Sequence, residues 1–401
     1  MINQTDITEI LKNYDLNNIT IGVLGGHSAL DVCSGAKKYG FKTVVVAQKG
    51  RDLTFTKYYK TRADSLATSG KAGCVDEVIL VDKFSDIIKE DVQKKLRKLN
   101  TIFIHNRYFW VYFEHFSKIE DLFMVPIFGL RQGVKLEERD QPLNQYHLLE
   151  KAGIRMPKII REGNKKMSAS KLKETLDAHF DSNGGPLIIK VNEAQRTYER
   201  AFFIINSTEE YYKIGEEKIK SGQILKETLD NAVIEEFIIG AQINLNFFYS
   251  PIEDRLELMG TDTRRQTDLD GFLGLNAKDQ MHLLDSGYSP KMIETGHIAV
   301  TMKESLVEKA YHIGEKFVAT MKKEVAPGMI GAFALQGAVA AFDGKEDFVI
   351  FDVSMRIPGS PGTKSTPYTS YLFGENMSYG ERIAMEVKKA VMSDRLSEIL
   401  S

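Results

Sequence analysis

An amide, a carboxylate and a guanidinium follow one another within a predicted β-hairpin near residue 340 of this 401-residue chain. Two strand-like runs flank an Asp-Gly pair, which is typical of a tight hairpin turn. If the hairpin is centred on Gly344, Gln336 lies directly opposite Asp352, with Cβ atoms roughly 4.5–5.5 Å apart. Mg²⁺ usually binds one or two protein oxygens together with phosphate oxygens. The pair therefore predicts a site for Mg²⁺ (or Mn²⁺) and phosphate; the alternative is an ordinary solvated hairpin face.

Alternation of side chains along the two strands predicts one polar and one apolar face. The polar face carries Gln336, Asp352, Ser354 and Arg356, so an arginine follows the predicted metal ligands. The other face is expected to pack in a core through six apolar side chains: Phe333, Leu335, Val339, Val349, Phe351 and Val353.

Charged residues within two earlier apolar strands are candidates for nucleotide binding. Lys190 lies near the end of the run Pro186–Val191, and burying a lysine is costly unless it meets an anion or its ammonium group reaches water. A nucleotide phosphate would supply the anion, and a solvated lysine at a strand edge is the alternative. In the strand predicted over 233–239, alternation turns only one of Glu235 and Glu236 inward, toward a ribose, a base edge or a salt-bridge partner.

Three further segments could bind anions. His27 and Ser28 belong to a Gly-rich turn between a predicted strand and a helix, and a helix N-terminus favours negative charge. Arg264 follows a strand and could clamp a phosphate. Thr363 belongs to the Gly-, Ser- and Thr-rich loop 358–370, whose amides could cradle an anion. The alternatives are a helix-start histidine, a charged hairpin tip and a flexible loop.

The order of strands and helices divides the chain into two parts. The first third alternates strands and helices, which predicts a parallel, doubly wound α/β sheet that binds ligands at its Gly-rich turn. The run 122–128 is apolar enough for another buried strand, and a helix is expected over 141–152. Beyond residue 157 the strands follow one another more closely, which indicates an α+β part with mainly antiparallel sheet.

Composition excludes several classes of protein. Apolar residues make up 43% of the chain and charged residues 27%, with a formal charge of −2; this is typical of globular proteins and gives no sign of nucleic-acid or anionic-membrane binding. Two cysteines argue against a disulfide framework and fit a reducing cytoplasm. No signal peptide is recognisable, and no apolar run approaches the roughly 18 residues of a membrane span. A cytoplasmic protein is therefore expected.

The order of strand lysine, strand glutamate, Gln/Asp hairpin and trailing arginine resembles that of ATP-grasp ligases, in which two α+β lobes hold ATP. Over nearly its whole length the chain also resembles the archaeal 5-formaminoimidazole-4-carboxamide ribonucleotide synthetase family, the formate ligases of purine biosynthesis. The segments that carry this resemblance are Leu24-Gly-Gly-His-Ser28, Gly50-Arg-Asp52, Val125-Pro-Ile-Phe-Gly129, Ile234-Glu-Glu236, Phe248-Tyr-Ser-Pro251, Ala277-Lys-Asp-Gln280, Pro327-Gly-Met-Ile-Gly331, Leu335-Gln336, Phe351-Asp-Val-Ser-Met-Arg356 and Pro367-Tyr368.

The resemblance implies an N-terminal doubly wound preATP-grasp domain over 1–135 and an α+β ATP-grasp domain over 136–401, with lobes at about 150–240 and 241–401. It implies a Mg²⁺-dependent ligase that takes ATP, formate and a purine-pathway ribonucleotide, reacts through formyl phosphate and forms homo-oligomers. Roles carry over by position in four groups: ribonucleotide contacts from His27, Ser28, Arg107, Asn246 and Thr363; ATP contacts from Lys190, Glu235 and Glu236; metal ligation by Gln336 and Asp352; and stabilisation of phosphoryl charge by the catalytic residues Arg356 and Arg264.

Three departures from the family fall at the predicted site. The stretch Val191–Arg200 contains no glycine where the family has a glycine-rich loop, and Arg196 and Arg200 are then the candidate phosphate donors. Arg107 stands where the family has a small serine, and Asp352 stands where it has glutamate. Two alternatives therefore stay open: a ligase that joins another carboxylate and amine, and a nucleotide-binding protein without ligase activity.

Overall fold

The computed structural model describes residues 1–65, 67, 70–113, 115–163, 165–191, 202–288, 290, 293–342, 344–359 and 361–401. The predicted phosphate donors Arg196 and Arg200 lie outside these residues, as does Asp343 of the hairpin turn. Across the described ranges, no helix is both long enough and apolar enough to cross a membrane.

The first sheet is parallel and belongs to the N-terminal part of the chain. The strands of this part are β1 Thr20–Leu24, β2 Lys42–Gln48, β3 Arg62–Ala63, β4 Lys71–Ala72, β5 Glu77–Val81, β6 Thr101–Ile104 and β7 Ile127–Phe128. Its helices are α1 Gln4–Leu11, α2 Ala29–Lys38, α3 Glu90–Lys98, α4 Tyr108–Val111, α5 Ser117–Leu122 and α6 Gly133–Leu136. The strand order is β5-β2-β1-β6-β7, while β3 and β4 form a small separate ribbon. The predicted doubly wound sheet is confirmed.

A crevice opens at the carboxyl ends of β1 and β6, because the strand order reverses beside β1. The turns after these strands carry His27 and Arg107. Asn106 joins the two turns by donating through Nδ2 to the Leu24 carbonyl oxygen at 3.3 Å. Residues from two separate turns therefore line the edge at which sheets of this kind bind ligands.

The second sheet is antiparallel, with strand order β10-β9-β11-β8, and belongs to the central lobe. The elements from the connecting helix onward are α7 Gln145–Lys151, β8 Ile159–Arg161, α8 Ala169–Asp181, β9 Leu187–Lys190, β10 Phe203–Ile205, α9 Thr208–Lys220, α10 Lys226–Asp230 and β11 Val233–Glu236. The lobe has its own apolar core, which includes Leu176, Ile189 and Ile234. The strand expected to reach residue 239 ends at Glu236.

The third sheet is antiparallel, with strand order β14-β13-β12-β15-β16, and forms the C-terminal lobe. Its elements are β12 Ala241–Ser250, β13 Arg255–Gln266, α11 Leu269–Leu273, α12 Ala277–Asp285, β14 Glu294–Ala299, α13 Glu304–Glu324, β15 Gly331–Phe342, β16 Lys345–Ser354, α14 Tyr368–Phe373 and α15 Tyr379–Met392. Helix α13 covers one face of the sheet, where Phe317 stacks on Phe333 at a centroid distance of 5.6 Å. The opposite face carries polar side chains such as Asn244 and Gln336, together with Phe248, which packs in a core with residues of the N-terminal part.

The β15–β16 hairpin has the predicted cross-strand pair and also a bulge that was not predicted. Gln336 pairs with Asp352, as expected, but the next pair toward the turn is Gly337 with Ile350. Phe351 is therefore an extra residue on its strand. A bulge of this kind bends a strand and changes which residues share a face.

Between the bulge and the turn, the side chains of β16 point to the opposite face of the sheet from the one predicted. Phe348 and Ile350, rather than their odd-numbered neighbours, enter the core of the C-terminal lobe. Val349 is buried, as predicted, although it does not belong to this cluster, and the prediction that Phe351 faces the core is wrong. The ring of Phe351 instead lies 5.7 Å from the Lys190 ammonium nitrogen of the central lobe.

Residues 379–401 pack on the N-terminal part and extend its sheet. The amide of Ser401 donates to the Ile127 carbonyl oxygen at 2.9 Å, and the Ile127 amide donates to Ser401 at 3.0 Å. Helix α15 crosses α2 where Gly35 faces Gly380; a Cβ atom on Gly35 would lie 2.0 Å from the Gly380 carbonyl carbon. The N-terminal part and the C-terminal lobe consequently share one hydrophobic core.

Two predicted elements differ at their boundaries. Helix α7 begins at Gln145 rather than 141, because the Asn144 side chain accepts from two backbone N–H groups and caps the helix there. The apolar run expected to form a strand over 122–128 does so only in β7, because helix α5 continues to Leu122.

Candidate functional site

Four polar side chains form a row across the polar face of the third sheet. Asp262, Asn244, Gln336 and Asp352 lie on four adjacent strands, and each is directly paired with the next. Asn244 donates through Nδ2 to Asp262 Oδ2 at 3.1 Å, and Gln336 donates through Nε2 to Ser354 Oγ at 3.1 Å. The strand register thus holds the amide and carboxylate oxygens next to one another.

Gln336 and Asp352 are the candidate metal ligands, and each contacts an arginine. Asp352 Oδ1 accepts from Arg139 Nη2 at 2.8 Å, and Gln336 Oε1 accepts from Arg264 Nη2. The two side-chain oxygens are hard donors of the kind that Mg²⁺ prefers. Among the residues that the structure describes, no group of three or more His, Cys, Asp or Glu could hold a metal. The donor set fits a Mg²⁺ ion that takes its remaining ligands from phosphate and water.

Arg139 and Tyr146 connect the two sheets that face this site. Arg139 donates through Nε to the Tyr146 hydroxyl at 2.9 Å, and Tyr146 donates to Glu235 Oε2 at 2.5 Å. Glu235 pairs with Lys190, and the two side chains are only 1% and 7% exposed. A chain of hydrogen bonds and ion pairs therefore runs from Asp352 in the C-terminal lobe to Lys190 in the central lobe.

Lys190 is the residue at which the central lobe meets the hairpin. Its Nζ donates to the Phe351 carbonyl oxygen at 3.4 Å, immediately beside the candidate metal ligand Asp352. Burial lowers the pKa of the Lys190 ammonium, although the Glu235 carboxylate opposes that shift. The residue is a buried, paired cation rather than a solvated strand-edge lysine.

Glu235, and not Glu236, is the glutamate of β11 that turns inward. The Glu235 side chain is in contact with Lys190 and Tyr146. The Glu236 side chain accepts from the backbone N–H of Lys158 at 3.4 Å, in an exposed position. The structure therefore brings Glu235 to the cleft and leaves the Glu236 side chain outside this group.

Arg107 and Arg356 meet at a shared carboxylate. Glu137 Oε2 accepts from Arg107 Nη1 at 3.1 Å and from Arg356 Nη2 at 3.4 Å. Arg107 also pairs with Glu138. Burial and the Arg107 charge lower the pKa of Arg356, although the nearby Glu137 and Asp352 carboxylates oppose the shift. The predicted catalytic arginine is thus held at the junction of the crevice and the polar row.

His27 and Ser28 contact the segment that follows β16. Ser28 donates through Oγ to the Pro358 carbonyl oxygen at 2.7 Å. His27 is exposed and stacks on Tyr108 at a centroid distance of 5.7 Å, and a Cβ atom on Gly359 would lie 3.4 Å from its ring. The N-terminal crevice is therefore closed on one side by the C-terminal lobe.

Asn246 and Thr363 are fully buried beside Gly260. Asn246 donates through Nδ2 to Asp262 Oδ1 at 2.6 Å. Within the described part of the chain, Asn246 Oδ1 and Thr363 Oγ1 have no hydrogen-bond partner. The loop 358–370 contains a 3₁₀ turn and helix α14, and its Thr363 packs on the sheet. Asn246 Oδ1 and Thr363 Oγ1 are thus buried polar atoms with unused hydrogen-bonding capacity.

An Asp–His–Glu group at the end of the row was not predicted. His297 pairs through Nδ1 with Asp262 and through Nε2 with Glu294 at 3.1 Å. Burial alone would lower the pKa of His297, but its two carboxylate partners raise it to about 9. Glu294 also lies 3.1 Å from Arg264 Nε. His297 and Arg264, the arginine that contacts Gln336, therefore share the Glu294 carboxylate.

The residues of this site that were not predicted contact partners on elements distant in sequence, and they include Glu137, Glu138, Arg139, Tyr146, Asn244, Asp262, Glu294 and His297. The one available signal was the charged run Glu137–Asp140 between apolar segments, since clustered charge in such a place suggests buried pairing.

Two family models match separate parts of the chain. Residues 21–160 match a model described as a protein of unknown function, DUF1246. Residues 210–401 match one described as a domain of unknown function, DUF1297. These descriptions carry no activity.

Curated relatives match over the full length. The 5-formaminoimidazole-4-carboxamide-1-(beta)-D-ribofuranosyl 5'-monophosphate synthetase of Methanocaldococcus jannaschii is 36% identical over 100% of both chains. Its counterpart from Methanobrevibacter smithii is 35% identical over 99% of this chain and 98% of its own. Among solved structures, the IMP biosynthesis protein PurP from Thermococcus kodakaraensis has a TM-score of 0.64 at 25% identity, covering 95% of this chain and 100% of its own. N5-carboxyaminoimidazole ribonucleotide synthetase from Thermotoga maritima, at 15% identity and a TM-score of 0.51 over 93% and 75% of the two chains, shares the fold.

Proposed function

Because this chain belongs to the 5-formaminoimidazole-4-carboxamide ribonucleotide synthetase family and has the ATP-grasp fold, we propose that it is the ATP-dependent, ADP-forming ligase of that family. The reaction joins formate to the 5-amino group of 5-aminoimidazole-4-carboxamide ribonucleotide, a step of purine biosynthesis, and releases ADP and phosphate. The proposal includes a cytoplasmic enzyme that assembles into homo-oligomers, as the family resemblance implies.

One observation carries this proposal: the strand lysine of the central lobe meets the Gln/Asp hairpin of the C-terminal lobe. Lys190 Nζ lies 3.4 Å from the carbonyl oxygen of Phe351, which is adjacent to Asp352. Arg139 contacts the same aspartate at 2.8 Å. A nucleoside triphosphate bound between the lobes would therefore lie near the cations Lys190 and Arg139 and near Asp352, a candidate oxygen ligand for its metal ion.

The polar row supplies the groups needed for phosphoryl transfer. Gln336 and Asp352 would hold Mg²⁺, which neutralises negative charge on the transferred phosphoryl group. Arg264 and Arg139 already contact these two side chains, so a small change of their direction would bring them to phosphate oxygens. Chemistry of this kind depends on positioning and charge stabilisation more than on a protein nucleophile.

The proposed chemistry has two steps. A formate oxygen attacks the γ-phosphorus of ATP, which gives formyl phosphate and ADP. The 5-amino group of the ribonucleotide then attacks the formyl carbon, phosphate leaves with the former formate oxygen, and the amine loses a proton. Arg356, held at the junction of crevice and row, is positioned to stabilise the phosphoryl charge in both steps.

The N-terminal crevice would bind the ribonucleotide through His27 and Ser28. Arg107 stands in the crevice wall where the family has a small serine. Its guanidinium is paired with Glu137 and Glu138, which offset its charge. Asn246 and Thr363 are assigned to the ribonucleotide by the family resemblance alone, because both side chains are fully buried.

The test is ADP release by the full-length protein with ATP, Mg²⁺, formate and the aminoimidazole carboxamide ribonucleotide. Turnover that needs all three substrates, with a formylated product identified by mass spectrometry, supports the proposal. Formate labelled with ¹⁸O should transfer one labelled oxygen to phosphate if formyl phosphate is formed. If the protein binds ATP but releases no ADP with formate or with a panel of other small carboxylic acids, both ligase hypotheses are contradicted.

A further inference from the structure

Glu137 is a buried carboxylate with contacts to two other parts of the molecule, the N-terminal part and the segment that follows β16. It follows helix α6, in the segment that links the N-terminal part to the central lobe, and its side chain is only 5% exposed. Oε1 accepts from the backbone N–H of Met355 at 2.8 Å. Oε2 accepts from Arg107 and Arg356 at 3.1 and 3.4 Å. Glu137 thus joins an arginine of the N-terminal part to an arginine that follows β16.

The two arginines that contact Glu137 belong to different parts of the chain. Arg107 is at the start of α4, beyond the carboxyl end of β6 in the ligand crevice. Arg356 lies two residues beyond Ser354, the last residue of β16, which is the strand that carries the candidate metal ligand Asp352. The Arg356 Nη1 atom also donates to the Ile357 carbonyl oxygen at 3.2 Å. Glu137 is therefore a contact that the two guanidiniums share.

The pair of arginines lies between the ribonucleotide crevice and the metal row. On the crevice side, the chain just beyond Arg356 is bonded to Ser28 through the Pro358 carbonyl oxygen at 2.7 Å. On the other side, the charge of Asp352 raises the pKa of Arg107 and opposes the burial that lowers the pKa of Arg356. A phosphoryl group moving from nucleotide to acid would pass through this region.

Two guanidiniums at one buried place repel each other unless a carboxylate separates them. The charge of Arg107 disfavours the protonated form of Arg356, while Glu137 favours it. Charged groups fixed before the reaction stabilise developing charge without the cost of reorganisation. A carboxylate that holds the arginines without contacting substrate supplies this fixation.

We propose that Glu137 is a positioning residue, which directs Arg107 and Arg356 toward the phosphoryl group during its transfer. This inference rests on the proposed function, since it assumes an ATP-derived phosphoryl group at the junction. Glu137 is expected to act through the arginines and not to touch substrate itself.

The experiment compares Glu137→Gln with wild type and with Glu120→Gln. Glutamine keeps the shape of Glu137 but removes its charge. Glu120 is a matched control, because it is also buried and paired with a cation, Lys135 at 3.1 Å, but belongs to helix α5. The probes are MgADP alone and MgADP with aluminium fluoride, which imitates a phosphoryl group in transfer. Both affinities are measured by titration calorimetry on the full-length protein.

We expect Glu137→Gln to weaken binding of the aluminium fluoride complex about tenfold or more while changing the affinity for MgADP less than about twofold. Glu120→Gln should change neither affinity. Equal loss of both affinities would indicate a merely structural role and would overturn the inference, as would unchanged affinities. If wild type binds neither probe, the proposed function fails; if wild type binds both and Glu137→Gln behaves like wild type, only this inference fails.

A second comparison tests whether Glu137 acts through Arg356. Arg356→Lys keeps a positive charge but loses the geometry of the guanidinium. If the carboxylate acts in part by positioning Arg356, the double variant should lose less affinity for the aluminium fluoride complex than the product of the two single losses, because only the part that acts through Arg107 adds to the loss in Arg356→Lys. Independent, multiplying effects of the two substitutions would overturn the mechanism.

Discussion

Arg139 Nη2 and Asp352 Oδ1 are 2.8 Å apart, although 213 positions separate the two residues in the chain. Asp352 is one of the two candidate metal ligands, and Arg139 leads through Tyr146 to the buried pair of Glu235 and Lys190. The carboxylate that would bind a metal is therefore also the end of a polar chain between the lobes. Binding of a metal–nucleotide complex at Asp352 should change the contacts of both lobes.

The first prediction concerns Asp352→Ala. The substitution removes one of the two protein oxygens of the proposed metal site, and the affinity for MgATP is expected to fall roughly 10-fold to 100-fold. Asp347→Ala is the matched control, because Asp347 lies on the same strand and pairs with Arg155 at 3.7 Å. Titration calorimetry with MgATP measures both variants. An unchanged affinity for Asp352→Ala would refute the metal role.

The second prediction concerns Tyr146→Phe. Loss of the hydroxyl leaves Arg139 Nε and Glu235 Oε2 each without a buried partner, which is expected to cost about 1–3 kcal/mol of unfolding free energy. The KM for ATP should rise as well, because Lys190 loses part of its support. Tyr14→Phe is the control: its hydroxyl donates to the Thr101 carbonyl oxygen at 3.1 Å, in the N-terminal part.

The measurements for the tyrosine variants are chemical denaturation and steady-state kinetics. Tyr14→Phe should lower stability and leave the KM for ATP unchanged. If both tyrosine variants change only stability, the polar chain between the lobes has no part in nucleotide binding.

The third prediction concerns pH and His297. Its pKa is raised from 6.5 to about 9 in the folded protein, because Asp262 and Glu294 favour the protonated ring. Folded protein therefore binds this proton more tightly than unfolded protein. The stabilisation should be complete below pH 6.5 and should be lost as the pH rises to about 9 and beyond.

Denaturation of wild type and His297→Asn at a series of pH values measures this contribution. The difference in unfolding free energy between them should decrease as the pH rises from 6.5 to 9.5. His312→Asn is the control, since His312 is an exposed histidine of the same lobe. A difference between wild type and His297→Asn that is independent of pH would contradict the assigned protonation.

The fourth prediction concerns the crossing of helices α2 and α15. Gly35→Ala would place a methyl group 2.0 Å from a backbone atom of Gly380, and backbone cannot move aside as a side chain can. We expect a loss of about 1–3 kcal/mol or more in unfolding free energy. Gly271→Ala is the control, because no atom beyond its chain neighbours and the backbone of its own helix lies within 4 Å of a Cβ atom there. Thermal unfolding should show a lower Tm for Gly35→Ala only.

The sequence predicted what depends on local alternation. The Gln336–Asp352 pair and the parallel N-terminal sheet followed from periods of two residues and from the order of elements. The bulge at Phe351 did not follow, because it is decided by the packing of Phe348 and Ile350 against the rest of the lobe. The hydrophobic pattern alone does not reveal which residue is extra in a strand when the neighbouring residues are apolar too.

Contacts between distant parts of the chain were beyond local reasoning for a different reason. Arg139 and Glu137 lie in a short charged segment whose partners the sequence does not identify, because the segment meets them only in the folded protein. His297 becomes part of the site only through the pairing of β14 with β13. In each case the partner lies on an element whose position the sequence does not reveal.

The docking of residues 379–401 on the first sheet has a consequence for the newly made protein. Ser401 bonds to Arg131, 270 positions earlier, and helix α15 covers the helix that follows β1. Domains usually fold in order as they leave the ribosome. Here the N-terminal sheet emerges early but cannot bury its full core until residues near 400 have been synthesised. The nascent chain must therefore carry an exposed apolar surface through most of its translation, and its yield in cells should depend on chaperones that bind such surfaces.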